Sequence, residues 1–170
     1  SRVAAFLDLD QVLQEAARLI QERFGYHHVS LFINDAGSNR LAMKARAGEF
    51  AHVLPPEHQA VLGQGMVGRV GLHGETLLAN DVEAEPRYIN LYPDRLPTQS
   101  ELSVPIRSGD EILGVLDLQS PQLNAFDPGD VTTVETLAGQ IAAAISNARL
   151  YSQAAQRNRE VSLLNRVIAA

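Results

Sequence analysis

Residues Ser100–Asp130, SELSVPIRSGDEILGVLDLQSPQLNAFDPGD, decide the fold. Over Ser100–Arg107, Leu102, Val104 and Ile106 alternate with Glu101, Ser103 and Pro105. Over Glu111–Gln119, Ile112, Gly114, Leu116 and Leu118 alternate with Leu113, Val115, Asp117 and Gln119. A side chain changes face at every residue of a strand, so both stretches predict strands. Ser108-Gly109-Asp110 supplies turn chemistry between them, which makes the pair an antiparallel hairpin. Asp127-Pro128 opens a helix, with Asp127 as N-cap and Pro128 at the first helical position, where its missing N–H costs nothing.

The two faces of this hairpin differ. Leu102, Val104, Ile106, Leu116 and Leu118 form an oily face suited to helices. Glu101, Ser103, Val115, Asp117 and Gln119 form a mixed one. A mixed face on central strands is either solvated or covered by a second layer over a cavity with a few polar groups.

Upstream, Val12, Leu13, Ala16, Leu19 and Ile20 recur at helical spacing through Arg23, and Gly25 closes that helix. Asp8 reads as its N-cap, with Gln11 three residues on and a Leu7–Val12 staple. Ser1–Leu7 reads as the end of an incoming linker helix. In His27–Asn34, Val29, Leu31 and Ile33 share the helix-covered face, whereas His28, Ser30 and Phe32 share the other. Leu41–Ala47 completes a first hairpin across the turn Asp35–Asn39. Pro55-Pro56 predicts a short helix over Glu57–Leu62 that carries His58. Gly63-Gln64-Gly65-Met66-Val67-Gly68-Arg69 lacks the Lys-Ser/Thr pair of a phosphate loop and the preceding parallel strand of a dinucleotide site. It reads instead as a turn into a helix, Met66–His73, in which Gly68 allows close packing. A strand, Thr76–Ala79, follows.

From Asp81 to Gln99 the chain is polar and broken by Pro86, Pro93 and Pro97, and loops of this length are often functional. Tyr88 and Tyr92 lie four apart, so a helical turn would bring them to one side. They either stack on a ring-containing ligand or plug the pocket with their own rings.

Downstream, Val134, Leu137, Ala138, Ile141, Ile145 and Ala148 form a stripe for the sheet. Leu150, Ala154, Val161, Leu164 and Ile168 form a second, heptad-like stripe interrupted by Arg157. Ile145 to Leu150 is a rotation of about 140° at ~100° per residue, so the second stripe faces away from the first. It needs another partner: the same helix of a second subunit in a parallel homodimer, or a neighbouring domain.

Several of these segments together resemble the GAF domain, the small-molecule sensory and dimerisation module of signalling proteins. The matching residues are Ser100-Glu101-Leu102, Val104-Pro105-Ile106, Gly114-Val115-Leu116-Asp117-Leu118, Ser120, and Asn124-Ala125-Phe126-Asp127 with Asp130. Gly63-Gln64-Gly65-Met66-Val67-Gly68-Arg69 and Asn80-Asp81-Val82 extend the match. The resemblance implies an α+β domain of profilin- or PAS-like architecture. It has a central antiparallel sheet of about five strands, the N- and C-terminal helices on one face, and a pocket under an irregular roof, Leu62–Gln99, on the other. It also implies a sensory role, in the first place in a histidine kinase of a two-component system, with the 81–99 segment covering the ligand. Cyclic-nucleotide-binding members carry a lysine where this chain has Ala125, a departure that counts against that ligand class.

Composition bounds the rest. The 170 residues, 45% hydrophobic and 20% charged, suit one soluble domain. A net charge of −6 without a basic stripe argues against nucleic acid. No apolar run spans a bilayer and no secretory signal is present, so the expected location is the cytoplasm. With no cysteine, disulfides, covalent tetrapyrrole attachment and the thiol chemistry of GAF-type methionine sulfoxide reductases are excluded. The five histidines lack metal-site spacing. The expected organisation is an incoming helix over 1–7, the domain over 8–150 and an outgoing signalling helix over 151–170. The expected ligand contacts are His28, Ser30, Phe32, Met66, Tyr88, Tyr92, Glu101, Ser103, Val115 and Asp117, with no catalytic or metal-binding residue and no cofactor identified. The partners expected are an unidentified small molecule, a second copy through the terminal helices, and an effector domain such as a kinase in the parent chain. A ligand-free structural dimerisation module is the alternative. An enzyme whose pocket carboxylates do acid–base work ranks lower, because no nucleophile–base pair supports it.

Overall fold

A computed structural model of the chain describes residues 9–170. The expectations for the helix over 1–7, the Asp8 cap and the Leu7 staple lie outside those residues. The elements in order are α1 (Leu9–Phe24), β1 (His28–Asn34), β2 (Arg40–Gly48), β3 (Gln59–Val61), α2 (Gly65–His73), β4 (Leu77–Ala79), β5 (Ser100–Ser108), β6 (Glu111–Ser120) and α3 (Pro128–Ala169). A 3₁₀ turn, Val82–Ala84, interrupts the long connection before β5. Among the described residues the strands form one antiparallel sheet of six, ordered β3-β2-β1-β6-β5-β4. The sixth strand, β3, occupies the stretch that Pro55-Pro56 marks as helical. Its backbone pairs with the open edge of β2, Arg40 opposite Val61, and that ladder overrides the local helix signal.

The oily sheet face is covered as the alternation requires. Val29, Leu31 and Ile33 of β1, Leu102, Val104 and Ile106 of β5 and Leu116 and Leu118 of β6 pack with Leu13, Ala17 and Ile20 of α1 and Val134, Ala138 and Ile145 of α3. Leu113 joins this core, although strict alternation puts it on the mixed face. The pairing slips between Ile106/Gly114 and Arg107/Ile112, and the bulge adds one residue to β6, which inverts the alternation beyond it.

Helix ends follow the sequence closely. Gly25, at φ 70°, closes α1 by donating its N–H to the Gln21 carbonyl at 3.0 Å. α3 opens with a reciprocal capping box: the Asp130 N–H donates to Asp127 Oδ1 at 2.8 Å, and the Asp127 N–H donates to Asp130 Oδ2 at 2.9 Å. α3 then runs unbroken for 42 residues. The expected boundary near residue 150 therefore falls inside a helix, just past Ile145, the last of its buried residues.

Candidate ligand chamber

The mixed face is buried, not solvated. Register places Asp117 between Ser30 of β1 and Ser103 of β5, and Gln119 between His28 and Glu101. Across-strand partners in an antiparallel ladder share a face, so these six side chains project to the side away from α1 and α3. All but Gln119 are less than 5% exposed.

Asp117 is the centre of the cluster. It accepts from Ser103 Oγ at 2.5 Å and from Gln119 Nε2 at 3.0 Å, and Gln119 Oε1 accepts from Thr98 Oγ1 at 2.7 Å. Burial pushes both carboxyls up. Glu101 stands well above its usual 4.5, first by burial and then by the neighbouring Asp117. Asp117 is raised by burial too, but hydrogen bonds from Glu101, Ser103 and Gln119 favour its ionised form. The geometry therefore assigns the proton to Glu101, which donates to Asp117. Tyr88 is pushed up to about 12 by burial and by the Glu101 carboxyl beside it.

Above the pair lies a cavity of about 140 Å³. Of the expected contacts, Ser30, Phe32, Met66, Tyr88, Tyr92, Glu101 and Asp117 line it. His28, Ser103 and Val115 share the face but not the cavity. His28 Nε2 lies 2.7 Å from Ser30 Oγ, Ser103 spends its hydroxyl on Asp117, and Val115 is sealed among Phe32, Leu41 and Val70. These three sit one layer behind the wall they were expected to form.

The roof differs in part from the expected Leu62–Gln99. The start of α2, with Gly65, Met66 and Val67, and the segment from Tyr88 to Leu96 do cover the cavity, but so does an arm from Leu54 to Val61. Arg46 holds that arm by donating to the carbonyls of Leu54 and Pro55. Tyr88 and Tyr92 do not share a helical turn; their segment is irregular. Tyr92 closes onto the arm instead, with its hydroxyl 3.3 Å from His58 Nδ1 and its ring edge-on at 5.7 Å, while His58 meets Phe32 at 5.9 Å. Burial lowers the pKa of His58, so the ring is neutral at pH 7. Sequence reasoning missed His58 and Gln119 as lining residues. Gln119 carries the same two-residue period as Asp117 and was legible; the aperiodic arm gave no signal for His58. No group of three or more His, Cys, Asp or Glu among the described residues could hold a metal ion.

The residues flanking β4 are tied to the start of α3. Asn80, after β4, donates to the Phe126 carbonyl at 2.8 Å and accepts the Phe126 N–H at 3.2 Å, just before the α3 cap. Thr76 donates to Glu135 of α3 at 2.7 Å.

Comparison with known proteins gives a consistent result. The family model for the GAF domain matches residues 7–146. The formate hydrogenlyase transcriptional activator of Salmonella typhimurium is 26% identical over 156 residues, which is 89% of this chain and 22% of that protein. The chain spans less than half the length of this relative and of two further bacterial ones, Protein ZMO0507 of Zymomonas mobilis and Protein YtsP of Bacillus subtilis. The GAF domain of a phosphoenolpyruvate-protein phosphotransferase from Coxiella burnetii superposes with a TM-score of 0.77 at 25% identity, covering 89% of this chain and 90% of that one. A free methionine-R-sulfoxide reductase from Neisseria meningitidis, solved in complex with its substrate, gives 0.74 at 27% identity over 88% and 85%.

Proposed function

This chain belongs to the GAF domain family, and from that premise we propose that it is the sensory and dimerisation module of a cytoplasmic signal-transduction protein. A small molecule enters the chamber and contacts Ser30, Phe32, Met66, Tyr88, Tyr92, Glu101 and Asp117. The roof moves, and α3 carries the change to an effector domain, such as a histidine kinase, as a rotation or slide of paired helices. The observation that carries this reading is the half-open cavity over a buried carboxyl pair, on the face opposite the terminal helices. The Thr76 and Asn80 contacts tie the two ends of β4, which lies between α2 and the Tyr88–Leu96 segment in the chain, to α3 and to the residue just before its cap.

Two relatives in fold are reductases. A thiol mechanism is excluded in these 170 residues, which contain no cysteine, so the chamber is read as binding without turning over. A ligand-free scaffold is the second reading, and one observation favours it: about 140 Å³ is below the ~300 Å³ at which ordinary ligand pockets begin. A thermal-shift screen against cyclic nucleotides, haem, free amino acids and small amines separates the two. A ligand present at 100 times its Kd stabilises by about 2.7 kcal/mol, which is readily seen. A flat response across the whole screen favours the scaffold.

A further inference from the structure

We propose that the chamber selects a compact cation, whose protonated amine or amidinium seats against Glu101 and Asp117. This rests on the chamber being a ligand site, as proposed above. Charge balance at the buried floor of the cavity decides the class of ligand. Both carboxyls are sealed from solvent, with 4% and 1% exposure. Burial raises the pKa of Asp117, but both its oxygens accept, Oδ1 from Ser103 and Oδ2 from Gln119, contacts that favour the carboxylate and place negative charge at the floor. Among the described residues no lysine or arginine lines the cavity. His58 is kept neutral by burial, and Tyr88, with its pKa near 12, is neutral too. Tyr92 is engaged with His58. Arg46 reaches this side of the sheet, but its guanidinium is committed to the Leu54 and Pro55 carbonyls. A buried charge without a counter-charge is costly. A cation supplies the missing partner, and an anion meets only repulsion at the floor.

Size narrows the class. A volume of about 140 Å³ holds about five waters at ~30 Å³ each, which suits a small amine and excludes a nucleotide without opening of the roof. The apolar walls, Phe32, Met66 and Leu96, suit an aliphatic body. At the roof, α2 begins without a side-chain cap, so its N-terminal end tolerates a carboxylate on the far side of the ligand. Simple amines and free amino acids therefore share the recognised ammonium.

Isothermal titration of the 170-residue chain with matched probes tests this. Isobutylamine and L-valine carry the ammonium; isobutyrate, N-acetyl-L-valine and cyclic AMP do not. The expected result is saturable binding of at least one ammonium probe and none of the anions. Affinity should fall about tenfold or more in Glu101→Gln or Asp117→Asn. It should rise with pH, because seating the cation displaces the proton from Glu101 and leaves both carboxylates ionised. Glu101→Gln is isosteric with the protonated acid and retains the fold, so it decides the matter if Asp117→Asn melts early. An anion binding better than its matched amine overturns the charge class while leaving the chamber a ligand site. Ammonium binding untouched by both variants places the contact elsewhere and overturns the inference. Silence from every probe overturns it together with the reading on which it rests.

Discussion

His28 is sealed beneath the chamber wall with its Nδ1 unpaired, and burial lowers its pKa to about 4, with the charges of His27 and Arg46 adding to the effect. In the unfolded chain the same ring titrates near 6.5. A native pKa below the unfolded one means that stability is fully present above 6.5 and is lost as pH falls toward 4. The shift corresponds to about 3 kcal/mol. Replacing His28 with Gln, which keeps a donor for Ser30, should flatten the loss of Tm between pH 7 and pH 5; thermal melts across that range check it. Glu101 acts with the opposite sign. Its native pKa lies above the usual 4.5 because of burial and Asp117, so the native state holds a proton that the unfolded chain releases. Stability is present below 4.5 and declines as pH rises toward the native value. Glu101→Gln should remove that alkaline decline, so the Tm of the variant minus that of the parent grows from pH 5 to pH 8; a difference that stays constant would contradict the protonated assignment. Glu101 and Asp117 were legible because a period of two fixes the face of every strand residue. Which residues touch the cavity was not, because that depends on the depth at which each side chain ends. Ser103 and His28 are turned to near neighbours, a choice that periodicity does not encode.

At the level of elements, two glycines set how closely neighbouring backbones approach, one within the sheet and one where α2 meets β3. A Cβ on Gly114 would lie 2.0 Å from the Phe32 carbonyl oxygen, between the central strands β1 and β6. A Cβ on Gly68 would lie 2.0 Å from the Val61 carbonyl oxygen, where α2 crosses the end of β3. In both places the obstacle is backbone, which cannot rotate aside. Gly114→Ala should cost about 3 kcal/mol, a fall in Tm of roughly 6–12 °C. Gly139 provides the contrast: it lies in the middle of α3 with nothing within 4 Å of an added Cβ. Gly139→Ala should stabilise by about 0.5–1 kcal/mol through helix propensity alone. Calorimetric melts of the two variants should move in opposite directions. The elements themselves were legible where two signals agreed. β5 and β6 had alternation plus turn chemistry, and α3 had a cap plus a stripe. β3 had neither. Its three residues are a strand only because β2 presents an unpaired edge, which is a property of the assembled sheet. The slip at Leu113 is hidden for a related reason: a bulge adds one residue to one strand, and no residue type there announces it.

For the whole molecule, the decisive feature is that α3 outgrows the domain it covers. Its 42 residues extend about 63 Å at ~1.5 Å per residue, and its buried contacts end at Ile145. Beyond that point Leu150, Val161, Leu164 and Ile168 lie 64%, 51%, 59% and 75% exposed; the last three follow the three- and four-residue steps of a heptad seam, which Ala154 continues back to Leu150 across Arg157. That seam was readable from spacing, since helical rotation alone turns it away from the sheet. Its occupant was not, because an apolar stripe marks a surface suited to a partner without describing one. The occupant we propose is a second copy: identical seams are self-complementary in a parallel pair, and the pairing would couple two chambers through one rod. Each seam residue removed from water is worth about 1.5–3 kcal/mol, and a substitution in one chain acts twice in a symmetric dimer. Leu164→Asp with Ile168→Asp should therefore weaken association by at least ~100-fold, converting a micromolar dimer to a monomer in sedimentation velocity. The domain itself should keep its Tm, because neither side chain touches the core. A dimer that survives the double substitution would assign the stripe to another surface and leave the proposed relay from roof to effector without its coupling element.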